Sequence, residues 1–125
     1  MTNSELYKKL AKGVFEAMNK RDFSEMQKNI TENLTFDFPG AGKIEGAKRV
    51  VIFLTALLRK YSVLQFNVSE VFTEGERACA IWTNKGESKD GQPYSNSGVT
   101  VFQFSEGKIS SMSDYFKDTS FTNTK

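Results

Sequence analysis

Histidine is absent from this chain and cysteine occurs once, so carboxylates and tyrosines are the main groups left to handle a proton. A His-based catalytic triad, a His metal site and a histidine pH switch are thereby excluded. Cys79, between Ala78 and Ala80, excludes an internal disulfide and reads as a small apolar residue in a strand. Among the carboxylates, Asp114 has the most suggestive surroundings, because Met112, Asp114 and Phe116 alternate onto one face of a strand-like segment. A carboxyl flanked on its own face by Met and Phe is poorly solvated, which raises its pKa and suits it to general acid or base work. The alternative is an Asp114 hydrogen-bonded to a neighbouring Tyr, Asn or Arg, or exposed at the edge of its element. Asp37 alternates with Phe36 and Phe38, so it points away from whatever those rings line unless a bulge intervenes. Asp118 reads as a cap or rim residue, and Tyr61 as a core ring with its hydroxyl at the surface.

The elements that must position these groups follow from periodicity. Thr2 with Glu5 fits a capping box, and Leu6, Leu10, Val14, Ala17 and Met18 then recur at helical spacing up to Asn19. Asp22 with Glu25 resembles a second N-cap, predicting a short helix through Phe23, Met26 and Ile30. Leu34, Phe36 and Phe38 alternate as a short strand ended by Pro39 and Gly40, and a loop with Gly42 and Gly46 follows. Val50, Phe53, Leu54, Leu57, Leu58 and Tyr61 predict a third helix from Ala47 to Tyr61. The rest is β-rich, with turns at Glu74-Gly75, Asp90-Gly91 and Glu106-Gly107 that predict a four-stranded antiparallel meander. One domain over residues 1–125, with a frayed tail from about 119, is the expected organisation.

Seventeen basic and fifteen acidic residues give a net charge of +2, with no Arg-rich stripe or stacking motif, so nucleic acid is not an expected partner. No apolar run is long enough to span a membrane, and the start MTNSELYKKL lacks the apolar core of a signal peptide, so a cytoplasmic protein is expected.

The order of elements, with Asn19 to Phe23 (NKRDF), Phe36 to Pro39 (FDFP) followed by Gly46 and Phe53, Ala80 to Thr83 (AIWT), Gly98 to Phe104 (GVTVFQF) and Gly107 to Phe116 (GKISSMSDYF), resembles the NTF2-like superfamily and its SnoaL-like branch. The resemblance implies an α+β cone-shaped roll, with three N-terminal helices packed on a curved, mixed but mainly antiparallel sheet around an apolar pocket. It implies no metal and no cofactor, since proton transfers of the isomerase and cyclase type need none. Aligned with ketosteroid isomerase, the positions of its Tyr, its Asp base and its protonated Asp hold Val14, Phe38 and Thr100, so that machinery is absent. Epoxide hydrolysis by an Asp-Arg-Asp arrangement is disfavoured too, for lack of a pocket-facing Arg.

SnoaL-like cyclases carry a functional Asp near the end of the last strand, which makes Asp114 the expected acid or base. The resemblance also implies that Val14, Phe36, Phe38, Phe53, Asn96, Thr100, Phe102, Met112 and Phe116 surround a small hydrophobic ligand, with Asn96 or Thr100 placing an oxygen or satisfying one another. Val99, Val101 and Gln103 fall on the opposite, convex face, through which family members usually pair, so a homodimer is expected. Trp82 belongs either to the pocket wall or to that outer face. A cofactor-independent isomerase or cyclase is one expected function; a non-catalytic ligand-binding or protein-interacting dimer is the other.

Overall fold

The computed structural model describes residues 3–118. Helix α1 (Asn3–Lys20) buries Tyr7, Leu10, Ala11, Val14, Phe15, Ala17 and Met18 along one face. Thr2 of the expected capping box lies outside the described residues. The helix ends in a Schellman arrangement: Arg21 takes a left-handed φ of 57°, its N–H reaches the Met18 carbonyl, and the Asp22 N–H reaches that of Ala17. The arriving polar residues then clamp the helix to the sheet, since Asn19 exchanges two hydrogen bonds with the Phe66 backbone (2.7 and 3.0 Å) and Arg21 donates to the Tyr61 carbonyl at 2.9 Å.

Among the described residues the three expected helices are two. Asp22 does not open a helix; its carboxylate accepts from the backbone N–H and hydroxyl of Ser24, a local turn that competes with helix. A single 3₁₀ turn at Met26–Asn29 follows, and β-branched Ile30 already begins strand β1 (Ile30–Phe38). The stretch expected as a loop forms a short edge strand, β2 (Gly42–Glu45), paired antiparallel to β1. Helix α2 (Ala47–Leu58) stops before Tyr61, which starts β3 (Tyr61–Glu74).

Strands β4 (Arg77–Ser88), β5 (Pro93–Ser105) and β6 (Lys108–Phe116) complete the antiparallel meander. Glu106 and Gly107, both at positive φ (53° and 78°), make the two-residue turn of the type that matches strand twist. The six strands run in the order β2-β1-β6-β5-β4-β3, and the parallel β1–β6 pair makes the sheet mixed. The inner face buries Ala78, Ala80, Trp82, Thr100, Phe102, Phe104 and Met112 beneath the helices. Phe15 of α1 meets the rings of Phe66, Trp82 and Phe102 at 5.7–6.4 Å between centroids, and Tyr7 stacks on Phe104 at 4.0 Å.

Two irregularities aim the inner face. In β6 the register passes from Ile109↔Phe104 to Ser111↔Gln103, a bulge that inserts Ser110 and lets Ile109 and Met112 both point inward. Gly98 and Gly86 sit where neighbouring strands approach too closely for any side chain: a Cβ at Gly98 would lie 2.7 Å from the Cα of Phe116, and one at Gly86 2.8 Å from the Cα of Leu64. Among the described residues no helix is long and apolar enough to cross a membrane.

Candidate functional site

Between α1, α2 and the inner face of the sheet lies a cavity with ≈ 610 Å³ of free space measured out to its mouth, of which ≈ 50 Å³ can take the centre of a water molecule. It is therefore a narrow slot rather than a water-filled chamber. Its walls are rings and aliphatic chains, with Phe36 and Phe38 opposite Phe66 and Trp82 and with Phe116 between them.

Polar groups enter this apolar lining at few points. Asp114 is one, brought inward by the β6 bulge and set directly across from Thr100 in register. The Thr100 hydroxyl lies 2.6 Å from Asp114 Oδ1, and the Trp82 indole N–H donates to Thr100 Oγ1 at 3.0 Å. An indole N–H can only donate, so Thr100 accepts from Trp82 and its own hydrogen is directed at the carboxyl. Asp114 keeps some open surface, yet its carboxyl is closely surrounded. Burial pushes its pKa up to about 7, opposed by the Thr100 hydrogen bond that favours the charged form. A carboxyl so poised exchanges its proton readily near neutral pH.

Asn84 is the second polar point. It is 8% exposed, lies on the same face of β4 as Trp82, and lines the cavity, but its Oδ1 is buried without a hydrogen-bond partner. Tyr61 and Tyr94 form the third, joined by a hydrogen bond and with ring centroids 4.8 Å apart; burial, then the neighbouring Tyr94, raises the Tyr61 pKa and keeps that phenol neutral. Among the described residues there is no group of three or more Cys, Asp or Glu side chains that could hold a metal ion.

The residues expected at a pocket divide as follows. Val14, Phe36, Phe38, Thr100, Met112, Asp114 and Phe116 line the cavity together. Phe53 stands behind it, packed edge-on against Phe36 and Phe38 at 6.0 and 5.1 Å. Phe102 is wholly buried in the core against Phe15. Asn96 does not line the cavity; its amide is spent on the Tyr94 hydroxyl (3.1 Å) and on the backbone of Asp118, so it holds a wall residue rather than a ligand. Asp37 is exposed and paired in register with Lys43, and Asp118 is exposed at the rim. Tyr61, read as a core ring with its hydroxyl at the surface, is buried and lines the cavity. Trp82 faces inward, 3% exposed, because the alternation of β4 puts Ala78, Ala80, Trp82 and Asn84 on one face and Cys79, Ile81 and Thr83 on the other. Asn84 carried a readable signal: once Trp82 is set inward, it is the one polar residue two positions further along the same face.

A family model described as SnoaL-like domain matches residues 11–112. No functionally curated protein matches the sequence significantly. Solved structures with the same fold are many. An NTF2-like protein from Anabaena variabilis ATCC 29413 superimposes with a TM-score of 0.83 at 21% identity, covering 94% of this chain and 95% of its own. A protein from Jannaschia sp. CCS1, provisionally assigned as a SnoaL-like polyketide cyclase, gives 0.85 at 16% identity, covering 94% and 89%. Bal32a, from a soil-derived mobile gene cassette, gives 0.85 at 19% identity, covering 94% and 93%. At these identities the likeness establishes the fold.

Proposed function

This chain belongs to the SnoaL-like domain family, and from that premise we propose that it is a cofactor-independent enzyme of the isomerase or cyclase type, acting on a small, flat, mostly apolar carbonyl compound. The observation that carries the reading is the Trp82–Thr100–Asp114 hydrogen-bond chain, which places one carboxyl, with its pKa pushed up to about 7, in an aromatic slot. As carboxylate, Asp114 takes the proton from the carbon next to a substrate carbonyl; the C–H electron pair moves into the carbon–carbon bond and the carbonyl oxygen becomes an enolate oxygen. In a β,γ-unsaturated ketone the enolate is a dienolate, and returning the proton to its γ-carbon isomerises the substrate. Attack of the enolate carbon on a second carbonyl of the same molecule closes a ring, with the proton delivered to the new alkoxide. Neither route consumes an oxidant, a reductant or a metal.

The test is exchange of α-hydrogen for deuterium in ketones incubated with the protein in heavy water, followed by mass spectrometry. Catalysed exchange that disappears in Asp114→Asn is the expected result. Exchange no faster than in buffer, over a panel of cyclic ketones that bind, overturns the catalytic reading and leaves the alternative, a non-catalytic binding protein. That alternative is favoured by one observation: among the described residues only Thr100 hydrogen-bonds Asp114, and no second acid or base adjoins it.

We further propose that two copies associate through the outer face of the sheet. Support comes from register: Ile81, Val99 and Tyr115 form one cross-strand row there and Cys79, Val101 and Ser113 the next, with Tyr115 59% exposed and Gln103 at the border. Apolar rows of this kind gain by being covered.

A further inference from the structure

We propose that Asn84 is the second anchor of the pocket and that it selects ligands carrying a hydroxyl group at the end remote from Asp114. This rests on reading the cavity as a ligand site. The argument begins with an imbalance. Asn84 is a buried amide whose carbonyl oxygen has no partner, next along the inner face of β4 after Ala78, Ala80 and Trp82. A buried acceptor left unpaired has lost its hydrogen bonds to water and gained nothing in return, so an apolar residue of the same size would make the empty protein more stable. Every other polar side chain that enters the cavity is partnered: Thr100 and Asp114 with each other, Tyr61 with Tyr94. The deficit at Asn84 is met if a donor arrives from the cavity.

Position defines what that donor belongs to. Asp114 lies in the cross-strand row of Thr100 and Ala80, and Asn84 stands four residues further along β4. That offset is about 13 Å of strand, shortened across the coiled inner face. A molecule touching both residues therefore spans about two fused rings, is thin enough for the slot between Phe38, Phe66 and Trp82, and offers a hydroxyl hydrogen at one end and an acidic C–H beside a carbonyl at the other. A hydroxylated bicyclic ketone has this chemistry.

Trp82 is the single tryptophan of the chain and lines the cavity, so its fluorescence reports occupancy directly. The experiment titrates 6-hydroxy-2-tetralone and its parent 2-tetralone into the wild type and into Asn84→Leu, following quenching, and measures deuterium exchange of both ketones in parallel. The wild type is expected to bind the hydroxylated ketone about ten- to a hundredfold more tightly than the parent. Asn84→Leu is expected to lose that preference while binding the parent at least as well, and to melt about 4 °C or more above the wild type. Should Asn84→Leu fail to fold, which itself contradicts the expected stabilisation, Asn84→Ala supplies the binding comparison.

Equal binding of the two ketones by the wild type, or a preference that survives in Asn84→Leu, overturns the assignment of Asn84 whatever the exchange result. A preference that depends on Asn84 without any catalysed exchange supports the anchor and overturns the catalytic role of Asp114. Failure of both ketones to quench Trp82 overturns the anchor assignment.

Discussion

Thr100 and Asp114 are direct partners across β5 and β6, and the same pair that shares a rung of the ladder also shares a hydrogen bond of 2.6 Å between their side chains. Trp82, on the next strand over, fixes the direction of that bond by donating to the Thr100 oxygen. Three neighbouring strands thus contribute one side chain each to a single line of donors ending at the carboxyl.

Thr100→Val removes the hydrogen bond that favours the charged form of Asp114 and leaves burial unopposed. The pH midpoint of the exchange reaction, which rises to a plateau as the carboxyl ionises near pH 7, is expected to move upward by roughly one pH unit. The Trp82 N–H is stranded as well, at a cost of about 1–3 kcal/mol of stability. Thr100→Ser, which keeps the hydroxyl, is expected to retain the wild-type midpoint, and a pH profile of the three proteins checks both statements.

Stability should also depend on pH through Asp114. Its folded-state pKa lies above the ordinary carboxyl value, so between about pH 4 and about pH 7 the folded protein holds a proton that the unfolded chain has released. The destabilisation is therefore absent below this window, grows as pH rises through it, and is complete above pH 7. Asp114→Asn, which cannot ionise, is expected to flatten the profile and to be the more stable protein at pH 8, by an amount on the order of a few kcal/mol. Thermal melts of both proteins at pH 5 and pH 8 read this out; a wild type that gains more than the variant on going to pH 8 would contradict it.

Gly98→Ala drives a methyl group into the backbone of Tyr115 and Phe116, where no side-chain rotation can relieve it. The expected loss is about 2–4 kcal/mol, measured by urea denaturation, with the β5–β6 amides losing hydrogen-exchange protection first. Gly13→Ala, in α1 with open space where the new methyl would stand, is the control and is expected to be neutral or slightly stabilising.

If two copies pair through the outer face, Val99→Lys combined with Tyr115→Lys should yield monomers in sedimentation velocity while leaving the cavity unchanged, since both residues point away from it. A wild type that sediments as a monomer at micromolar concentration sinks the dimer.

Much of this arrangement is legible in the sequence, and the exceptions have separate causes. The apolar stripe of α1, the turns at Gly75, Gly91 and Gly107, and the shared parity of Met112, Asp114 and Phe116 follow from local pattern, while the inward direction of that face follows from the family resemblance. The helix expected after Asp22 failed because Ser24 satisfies Asp22 locally and Ile30 has a strand partner, Ile109, far away in the chain. β2 escaped notice because Ile44 is its single apolar residue. Ile81 and Thr83 fit an inner face as well as Trp82 does on type alone, and the burial of Ala78, Ala80 and Asn84 on the Trp82 side of β4 settles its facing. Asn96 has the right parity and stands in register with Asn84, but Asp118 and Tyr94 claim its amide. Long-range pairing decides the Ile30 strand and the Asn96 amide, whereas a local side-chain contact rules out the helix expected at Asp22.

The placement of β6 has a kinetic consequence. It lies between β1 and β5 and joins them, bonding parallel to a strand from early in the chain and antiparallel to its own hairpin neighbour. Until it docks, β1 with β2 and the β3–β5 meander are two separate pieces, each with an unsatisfied edge, and the loop that must close between Ile30 and Ile109 makes docking slow. The strand that completes the hydrogen-bonded sheet is also the one that carries Asp114. Assembly of the sheet and delivery of Asp114 to the cavity are consequently one event, and Met112 and Phe116 reach the cavity wall in the same step.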